Sequence, residues 1–286
     1  MMKEGLQQLT ERIFYLPPDH ETDRPILGAV SGKRATLIID AGNSEAHANM
    51  LLRELERKKV APIRWTVLTH WHWDHVFGLN AFNTISIAHV KTKKKLEWMK
   101  ELAWTDEAID KRVKSGEEIE ICAEHIRKEF GHNRDITIKL PTLTFEKKLD
   151  IDLGGIHCVI EHIGGDHAED HSVVYIPEEK VLFIADCTAQ KMYAEKWHYT
   201  VGEASRIAKK LLQYDAKWFV YGHWKAQARE EFVLEMNRLQ MFAELCEEHQ
   251  GDRRKMIKAF EGKLNREIST EELEELIYFV QGYQKR

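Results

Sequence analysis

The feature that most constrains this chain is the segment His70-Trp71-His72-Trp73-Asp74-His75, which follows an apolar run at residues 65–68. It contains four side chains of the types that bind divalent metal ions. The apolar run predicts a short buried strand, so the four side chains lie where a strand ends and a loop begins. In extended or turning backbone, His70 and His72 point to one side while Asp74 and His75 reach a neighbouring point. The segment therefore predicts a site for two metal ions.

The alternative for the same residues is a structural role. Exposed or hydrogen-bonded histidines are common, and a His-x-His pair alone is weak evidence for a metal. The added Asp-His pair changes the balance, because burying four such groups together without a cation would cost several kcal/mol. The complete spacing therefore favours metal binding.

His70-x-His72-x-Asp74-His75 after a hydrophobic strand resembles the signature of the metallo-beta-lactamase fold superfamily. Four other segments resemble further parts of this family in chain order. Residues 36–42 resemble its strand ending in a structural aspartate, 165–170 the segment with its third histidine, 181–186 the strand ending in its bridging aspartate, and 218–223 its last ligand-bearing strand. The resemblance covers most of the chain.

The resemblance implies two metal ions held by His70, His72 and His167 (first ion) and by Asp74, His75 and His223 (second ion), with Asp186 as the bridge. Imidazole nitrogens with few carboxylates suit zinc best, and manganese or iron are alternatives. Asp40 is expected to support the ligand side chains without binding a metal itself. His171 competes with His167 for the third-ligand role, but the residues after His167 resemble the family's segment more closely. His162 is interpreted as structural or as a support for the ligands.

Apolar runs and amphipathic stretches alternate along the chain. Strands are predicted at residues 12–16, 35–39, 65–68 and 85–88, with an amphipathic helix at 44–59 for which Ser44 is a plausible N-cap. A second set is predicted at 143–145, 157–162, 172–176, 181–184 and 218–221, with a helix at 203–212. This alternation indicates an α/β protein. The resemblance implies an αββα sandwich of the metallo-beta-lactamase type with the metals at one edge.

The chain is expected to divide into a metallo-beta-lactamase-like domain at residues 1–229 and a C-terminal helical extension at 230–286. Within the first, residues 91–134 form a helical insertion. This insertion fits a lid that carries Trp98 and Trp104 across the pocket mouth, or helices that those residues simply pack down. In the extension, Ser269-x-x-Glu272 predicts a capping box. The extension fits plain packing, a part of the substrate pocket, or a homodimer contact.

Composition limits the partners of this chain. It has 286 residues, 43% of them hydrophobic, a formal net charge of -5 and a pI near 6.3. That charge gives no general attraction to nucleic acid or anionic membranes. Residues 1–10 lack the apolar core of an export signal, and no apolar run approaches a membrane span, so a cytoplasmic location is expected. Four widely spaced cysteines fit reduced thiols.

The resemblance implies hydrolysis of a small-molecule substrate. Water shared by two cations loses a proton near neutral pH, because even one bound zinc lowers the water pKa from about 15.7 to about 7. The metal-bridging hydroxide then attacks a carbonyl or phosphoryl centre. Asp74 and His223 are the predicted catalytic residues, and the leaving group is protonated by Asp74, a metal-bound water or a hydroxyl such as that of Tyr193.

The substrate is the least determined part of this prediction, because the shared motifs specify the attacking group rather than the group attacked. A small carboxylic ester, thioester or lactone is the first choice, although some lactonases of the family have a tyrosine where this chain has Ala189. A phosphoesterase, an iron-dependent sulfur dioxygenase and a non-catalytic metal-binding protein are the alternatives. His198, beside Trp197, is the best further candidate for substrate contact.

Overall fold

Two β-sheets, each built from strands in chain order, form the centre of this computed structural model, which describes residues 5–132 and 134–285. Sheet 1 contains β1 (Gln7–Gln8), β2 (Ile13–Leu16), β3 (Leu27–Ser31), β4 (Thr36–Ile39), β5 (Ile63–Val67), β6 (Ile85–His89) and β7 (Leu143–Phe145). Sheet 2 contains β8 (Lys148–Asp152), β9 (His157–His162), β10 (Ser172–Ile176), β11 (Val181–Ala185), β12 (Trp218–Tyr221) and β13 (Gln227–Ala228). Each sheet therefore comes from one half of the chain.

Both sheets change from antiparallel to parallel pairing. In sheet 1, β1 to β4 pair antiparallel and β4 to β7 pair parallel. In sheet 2, β8 to β11 pair antiparallel, whereas β11 and β12 are parallel. Parallel neighbours end at the same edge of a sheet. The ends of β4 and β5 therefore lie together in sheet 1, as do those of β11 and β12 in sheet 2.

The central strands are apolar on both faces, as β11 illustrates. Side chains alternate across a strand, so Val181 and Phe183 enter the core between the sheets, while Leu182 and Ile184 pack against helices. A continuous apolar run of this length is typical of a strand covered on both sides. The pattern places sheet 2 inside the molecule rather than at its surface.

Helices cover the outer face of each sheet. On sheet 1 lie α1 (Glu45–Lys58), α3 (Val90–Lys100), α4 (Asp106–Ser115) and α5 (Glu120–Phe130), while the short α2 (Trp73–Val76) and a 3-10 helix (Phe77–Ala81) follow β5. On sheet 2 lie α6 (Val201–Leu212), α7 (Arg229–Glu248), α8 (Arg253–Leu264) and α9 (Thr270–Tyr283). The predicted α/β class and αββα sandwich are confirmed.

The predicted insertion and extension are helical. Helices α3 to α5 occupy the insertion, of which Asn133 lies outside the described residues, and they share the core of sheet 1 with α1. Helices α7 to α9 share the core of sheet 2 with α6, through Phe232, Phe242, Phe260 and Phe279 among others. The division at residues 229 and 230 stays a prediction, and residues 1–4 and 286 lie outside the described chain. Within the described ranges, no helix has the length and apolar character needed to span a lipid bilayer.

Candidate metal centre

The predicted metal motif forms the connection between β5 and α2. The chain leaves β5, turns through His70 and His72, and enters α2, whose first turn carries Asp74 and His75. All four side chains are buried. A strand end followed at once by a helix start brings the four side chains toward one point at the edge of sheet 1.

The first group of candidate ligands consists of three histidines. The ring nitrogens of His70, His72 and His167 lie within 4.8 Å of one another, and all three side chains are buried. Their Nε2 atoms have no hydrogen-bond partner among the described residues. A buried polar atom without a partner is costly, so three such atoms together need a common partner, and a divalent cation fits that role.

The second group contains two carboxylates and two histidines. Ligand atoms of Asp74, His75, Asp186 and His223 also lie within 4.8 Å of one another. The Oδ2 atom of Asp74 is 3.0 Å from the Nε2 atoms of both His75 and His223. Carboxylate oxygens and imidazole nitrogens are the donors that zinc, manganese and iron accept, so this group also fits a cation.

Asp186 lies between the two groups. Its Oδ2 atom is 2.9 Å from His75 Nε2 and 3.5 Å from His223 Nε2 in the second group. The same oxygen is 3.7 Å from His70 Nε2 and 3.6 Å from His167 Nε2 in the first. One carboxylate oxygen is therefore within reach of both candidate metal positions, as a bridging ligand requires.

Asp40 orients two of the histidines. Its Oδ2 atom is 2.8 Å from His75 Nδ1 and accepts a hydrogen bond of 2.9 Å from the Thr69 hydroxyl, whose oxygen is 3.0 Å from His70 Nδ1. When each Nδ1 carries its proton toward these oxygens, the Nε2 lone pair faces the centre. This is the arrangement that metal-binding histidines need, and the expected support from Asp40 is present.

The pKa values of the rings differ between the groups. Burial lowers the pKa of His70, His72 and His167, which favours the neutral form that binds metal. Burial also opposes the charged form of His75 and His223, but neighbouring carboxylates outweigh it and raise both pKa values well above the usual range. A cation bound to the second group would therefore replace ring protons, so binding there releases protons.

Gly222 allows sheet 2 to contribute its ligands. A Cβ atom at this position would lie 2.1 Å from Asp186 Oδ1 and 3.2 Å from His75 Cε1. Contacts below 3.0 Å force a neighbour to move, so only glycine fits between the end of β12 and Asp186 without displacing that carboxylate. His223 follows directly, which places its ring beside Asp74.

The competing histidines lie outside both groups. The Nε2 atom of His171 accepts a hydrogen bond of 3.2 Å from the Asp186 backbone amide, and burial lowers the pKa of His171 to about 3. His162 stacks on His89 with ring centroids 3.8 Å apart. His198, proposed for substrate contact, does not line the cavity beside the metal centre, and its Nδ1 is 2.8 Å from the Lys196 carbonyl oxygen. The preference for His167 over His171 agrees with this placement.

A cavity of about 320 Å³ opens beside the metal centre. Side chains of both ligand groups form one end. The remaining wall is mainly apolar or aromatic and includes Ile119, Cys122, Met192, Tyr193 and Trp224. Among the described residues that line it, none is a lysine or arginine. The cavity therefore combines a mainly apolar wall with the polar ligand groups at one end.

The insertion reaches this cavity, but not through its tryptophans. Ile119 and Cys122, at the start of α5, form part of the wall. Trp104 instead packs on Phe77, with ring centroids 4.9 Å apart, and Trp98 packs on Trp71 at 5.9 Å. Neither tryptophan lines the cavity. Trp104 is buried, at 7% exposure, which supports the packing interpretation for this residue, whereas Trp98 is 38% exposed and the lid stays a prediction.

Two features near the cavity had no signal in the sequence. Asp23 lines the cavity in left-handed backbone, with φ at 58°, and its Oδ1 atom is 3.4 Å from His223 Nδ1. Glu118 is buried and accepts a hydrogen bond of 3.0 Å from the Tyr193 hydroxyl. Both residues lie in polar segments without a motif, and only the tertiary fold brings them to the site.

Comparison with known proteins agrees with this fold and site. A sequence model of the metallo-beta-lactamase superfamily matches residues 28–223, which is more than half of the chain. The chain belongs to the metallo-beta-lactamase superfamily. This membership and the two ligand groups define the class of protein, which is a metal-binding hydrolase.

Particular relatives are more distant. The linear primary-alkylsulfatase of Pseudomonas sp. (strain ATCC 19151) is 25% identical over 175 residues, which are 56% of this chain and 32% of that protein. The chain thus spans about a third of the length of this curated relative. Among solved structures, a metallo-beta-lactamase from Pontibacter korlensis has a TM-score of 0.58 at 20% identity, covering 83% of this chain and 99% of its own. The inverting sec-alkylsulfatase Pisa1 from Pseudomonas sp. has a TM-score of 0.64 at 15% identity, covering 86% of this chain and 42% of its own. These structural similarities support the fold.

Proposed function

We propose that this protein is a binuclear metal-dependent hydrolase that acts on a small carboxylic ester, thioester or lactone. The observation that carries the proposal is the pair of buried ligand groups that meet at the Oδ2 atom of Asp186. A structural network of hydrogen bonds would not leave three imidazole nitrogens of one group without partners. The cavity beside these groups supplies space for a substrate.

In this proposal, the first ion is held by His70, His72 and His167, the second by Asp74, His75 and His223, and Asp186 contacts both. Zinc is the preferred metal because imidazole donors outnumber carboxylates. Two bound divalent cations would lower the pKa of water toward neutrality and stabilise negative charge on the attacked group.

In this proposal, further side chains orient the ligands, and residues beside the cavity take part in proton transfer. Asp40 and Thr69 fix the rings of His70 and His75 from behind. Asp74 and His223 are the proposed catalytic residues because both line the cavity, where a leaving group would lie. The Tyr193 hydroxyl donates its proton to Glu118 and so presents lone pairs to the cavity, which argues against Tyr193 as the proton source.

The lining of this cavity supports a small substrate whose reacting group is uncharged. Ile119, Met192 and Trp224 offer apolar contacts, while the described lining residues include no lysine or arginine to bind a distant anionic group. Esters, thioesters and lactones react at a neutral carbonyl carbon and combine well with an apolar chain. Burial of that chain would supply the binding free energy.

Hydrolysis of an alkyl sulfate ester is the second candidate, because the curated relative is a linear primary-alkylsulfatase. An alkyl chain suits the apolar wall equally well. The sulfate group carries a negative charge, however, and without a basic side chain in the lining its charge would have to be balanced by the metal ions. Carbonyl substrates therefore remain the first choice.

The test combines metal analysis with a substrate panel of carboxylic esters, thioesters, lactones, alkyl sulfates, phosphodiesters and a beta-lactam. We expect about two metal ions per chain and fastest turnover of a carbonyl substrate. His72→Ala and Asp186→Ala should lose metal and most turnover together. His20→Ala, at an exposed histidine, is the matched control and should retain both.

Full turnover by His72→Ala with no bound metal would refute the metal-dependent proposal. Preference for alkyl sulfates over all carbonyl substrates would instead keep the metal centre and replace the substrate class. The two results are distinguishable because metal content is measured independently of turnover.

A further inference from the structure

A second cavity borders the one at the metal centre. It has a volume of about 430 Å³, and Thr188, Ala189, Tyr221 and Trp224 line both cavities. Trp224 is 55% exposed, so its ring lies at the open side of the boundary rather than in the core. The two cavities therefore share a boundary that includes the exposed ring of Trp224.

The C-terminal helices supply five of the eleven residues that line the second cavity. Met236 and Leu239 of α7 and Tyr199 give it apolar surface. Its charged lining residues are Glu235 and Arg238 of α7 and Glu275 of α9. This lining differs from that of the first cavity, where the charged residues belong to the metal centre or contact it.

One carboxylate of the second cavity lacks a cationic partner. Arg238 Nε is 2.6 Å from Glu275 Oε2, and the carboxylates of Glu275 and Glu235 both raise the pKa of Arg238, so one cation faces two carboxylates and forms its ion pair with Glu275. The Oε2 atom of Glu235 accepts a hydrogen bond of 3.2 Å from the Gln227 side-chain amide. Among the described residues, no lysine, arginine or histidine lies within ion-pair distance of Glu235. The cavity therefore holds one excess negative charge.

Tyr221 connects the two cavities structurally. Its hydroxyl donates a hydrogen bond of 3.2 Å to Gln227 Oε1, the same amide that contacts Glu235. Tyr221 is the last residue of β12, two positions before His223 of the metal centre. The position of Glu235 relative to the metal centre is thus set by a strand and a hydrogen-bonded network.

We propose that the second cavity binds the positively charged end of the substrate, a primary ammonium group that pairs with Glu235. This inference rests on the proposed function, since it places the bond that is hydrolysed at the metal centre and an alkyl chain along Trp224 and Tyr221. The substrate class becomes an ester, thioester or lactone with an apolar chain and a terminal amine. We propose an ammonium group because a partly buried carboxylate that forms no ion pair is stabilised most by a hydrogen-bond donor that carries a positive charge.

Direct binding tests the proposal without turnover. Isothermal titration calorimetry on the zinc-loaded full chain compares hexylammonium, 1-hexanol and hexanoate, which share the same chain and differ in the end group. We expect hexylammonium to bind at least about tenfold more tightly than the other two, which corresponds to about 1.4 kcal/mol. Equal binding of all three would overturn the proposal.

Glu235→Gln isolates the carboxylate, because glutamine keeps the shape and an acceptor for Gln227. It should weaken hexylammonium binding about tenfold and leave 1-hexanol binding unchanged. Glu244→Gln, the same exchange at an exposed position of α7, is the matched control and should change neither. Unchanged hexylammonium binding in Glu235→Gln would show that the amine binds elsewhere, and it would overturn the proposal.

Two further results separate this inference from the proposed function. His72→Ala should lose metal but keep the preference for hexylammonium, because Glu235 lies in the other cavity. In the active enzyme, esters that end in an ammonium should have a lower KM than matched esters that end in a methyl group, with similar kcat. Turnover of both esters with equal KM would reject the ammonium site and leave the metal-dependent hydrolase intact.

Discussion

At the scale of single residues, the seven candidate ligands are distinguished by their metal-binding side chains, whereas Gly222 is distinguished by the lack of space for a Cβ atom. The seven candidate ligands were predictable because their residue types, spacing and order are distinctive. Gly222 and Asp23 were not, since a glycine after a strand and an aspartate in a polar loop have many ordinary roles. Their importance follows from atoms that are distant in the chain, such as Asp186 Oδ1 and His223 Nδ1.

Gly222→Ala should reduce metal binding by tenfold or more, because the new Cβ atom would lie 2.1 Å from Asp186 Oδ1 and displace the Asp186 carboxylate. The measurement is competitive metal titration against a chromophoric chelator. Gly202→Ala in α6 is the matched control, since its Cβ atom would meet nothing within 4 Å. Wild-type affinity in Gly222→Ala would contradict the spatial argument.

At the scale of elements, strong local signals predicted the structure well. Ser44 caps α1 as expected, and the capping box of Ser269 and Glu272 opens α9. Strand β3 was not predicted, because it contains Gly28 and a glycine weakens a strand pattern. A Cβ atom at Gly28 would lie 2.5 Å from Phe183 Cε1. Contact between the two sheets therefore explains this glycine, and the sequence alone does not reveal such contacts.

Ser269→Ala should lower the free energy of unfolding by about 1 kcal/mol. The change removes the hydroxyl that accepts the Glu272 backbone N–H at 3.2 Å, which leaves a donor of the first turn of α9 without its partner. Urea unfolding followed by circular dichroism measures the effect. Ser205→Ala, inside α6, should cause no loss because alanine is the better helix former there. Equal stability of Ser269→Ala and the wild type would show that the cap is not needed.

At the scale of the whole molecule, three apolar cores separate four layers, and several titratable groups are buried beside them. His47 of α1 is one example. Its side chain is buried, and burial lowers its pKa from the ordinary 6.5 to about 3. Between pH 6.5 and about 3, His47 therefore stays neutral in the folded protein, whereas the same side chain binds a proton in the unfolded chain.

The sign of the pH effect follows from this difference. Between pH 6.5 and 3 the unfolded chain binds the additional proton, so the contribution of His47 to stability is complete above pH 6.5 and is lost as the pH falls. Each pH unit in this window should cost about 1.4 kcal/mol for this group. Urea unfolding at pH 7, 6 and 5 should show a smaller slope for His47→Gln than for the wild type. Parallel slopes would contradict the prediction.

The candidate ligands and the supporting Asp40 come from both sheets, which affects how easily the two sheets separate. Asp40 and the motif at residues 70–75 follow strands of sheet 1, whereas Asp186 and His223 follow strands of sheet 2. A pair of ions held there would connect the two halves of the chain like a covalent cross-link. Separation of the sheets at that edge would then require the ions to dissociate first, so amide hydrogens near Asp186 should exchange more slowly in the metal-loaded protein.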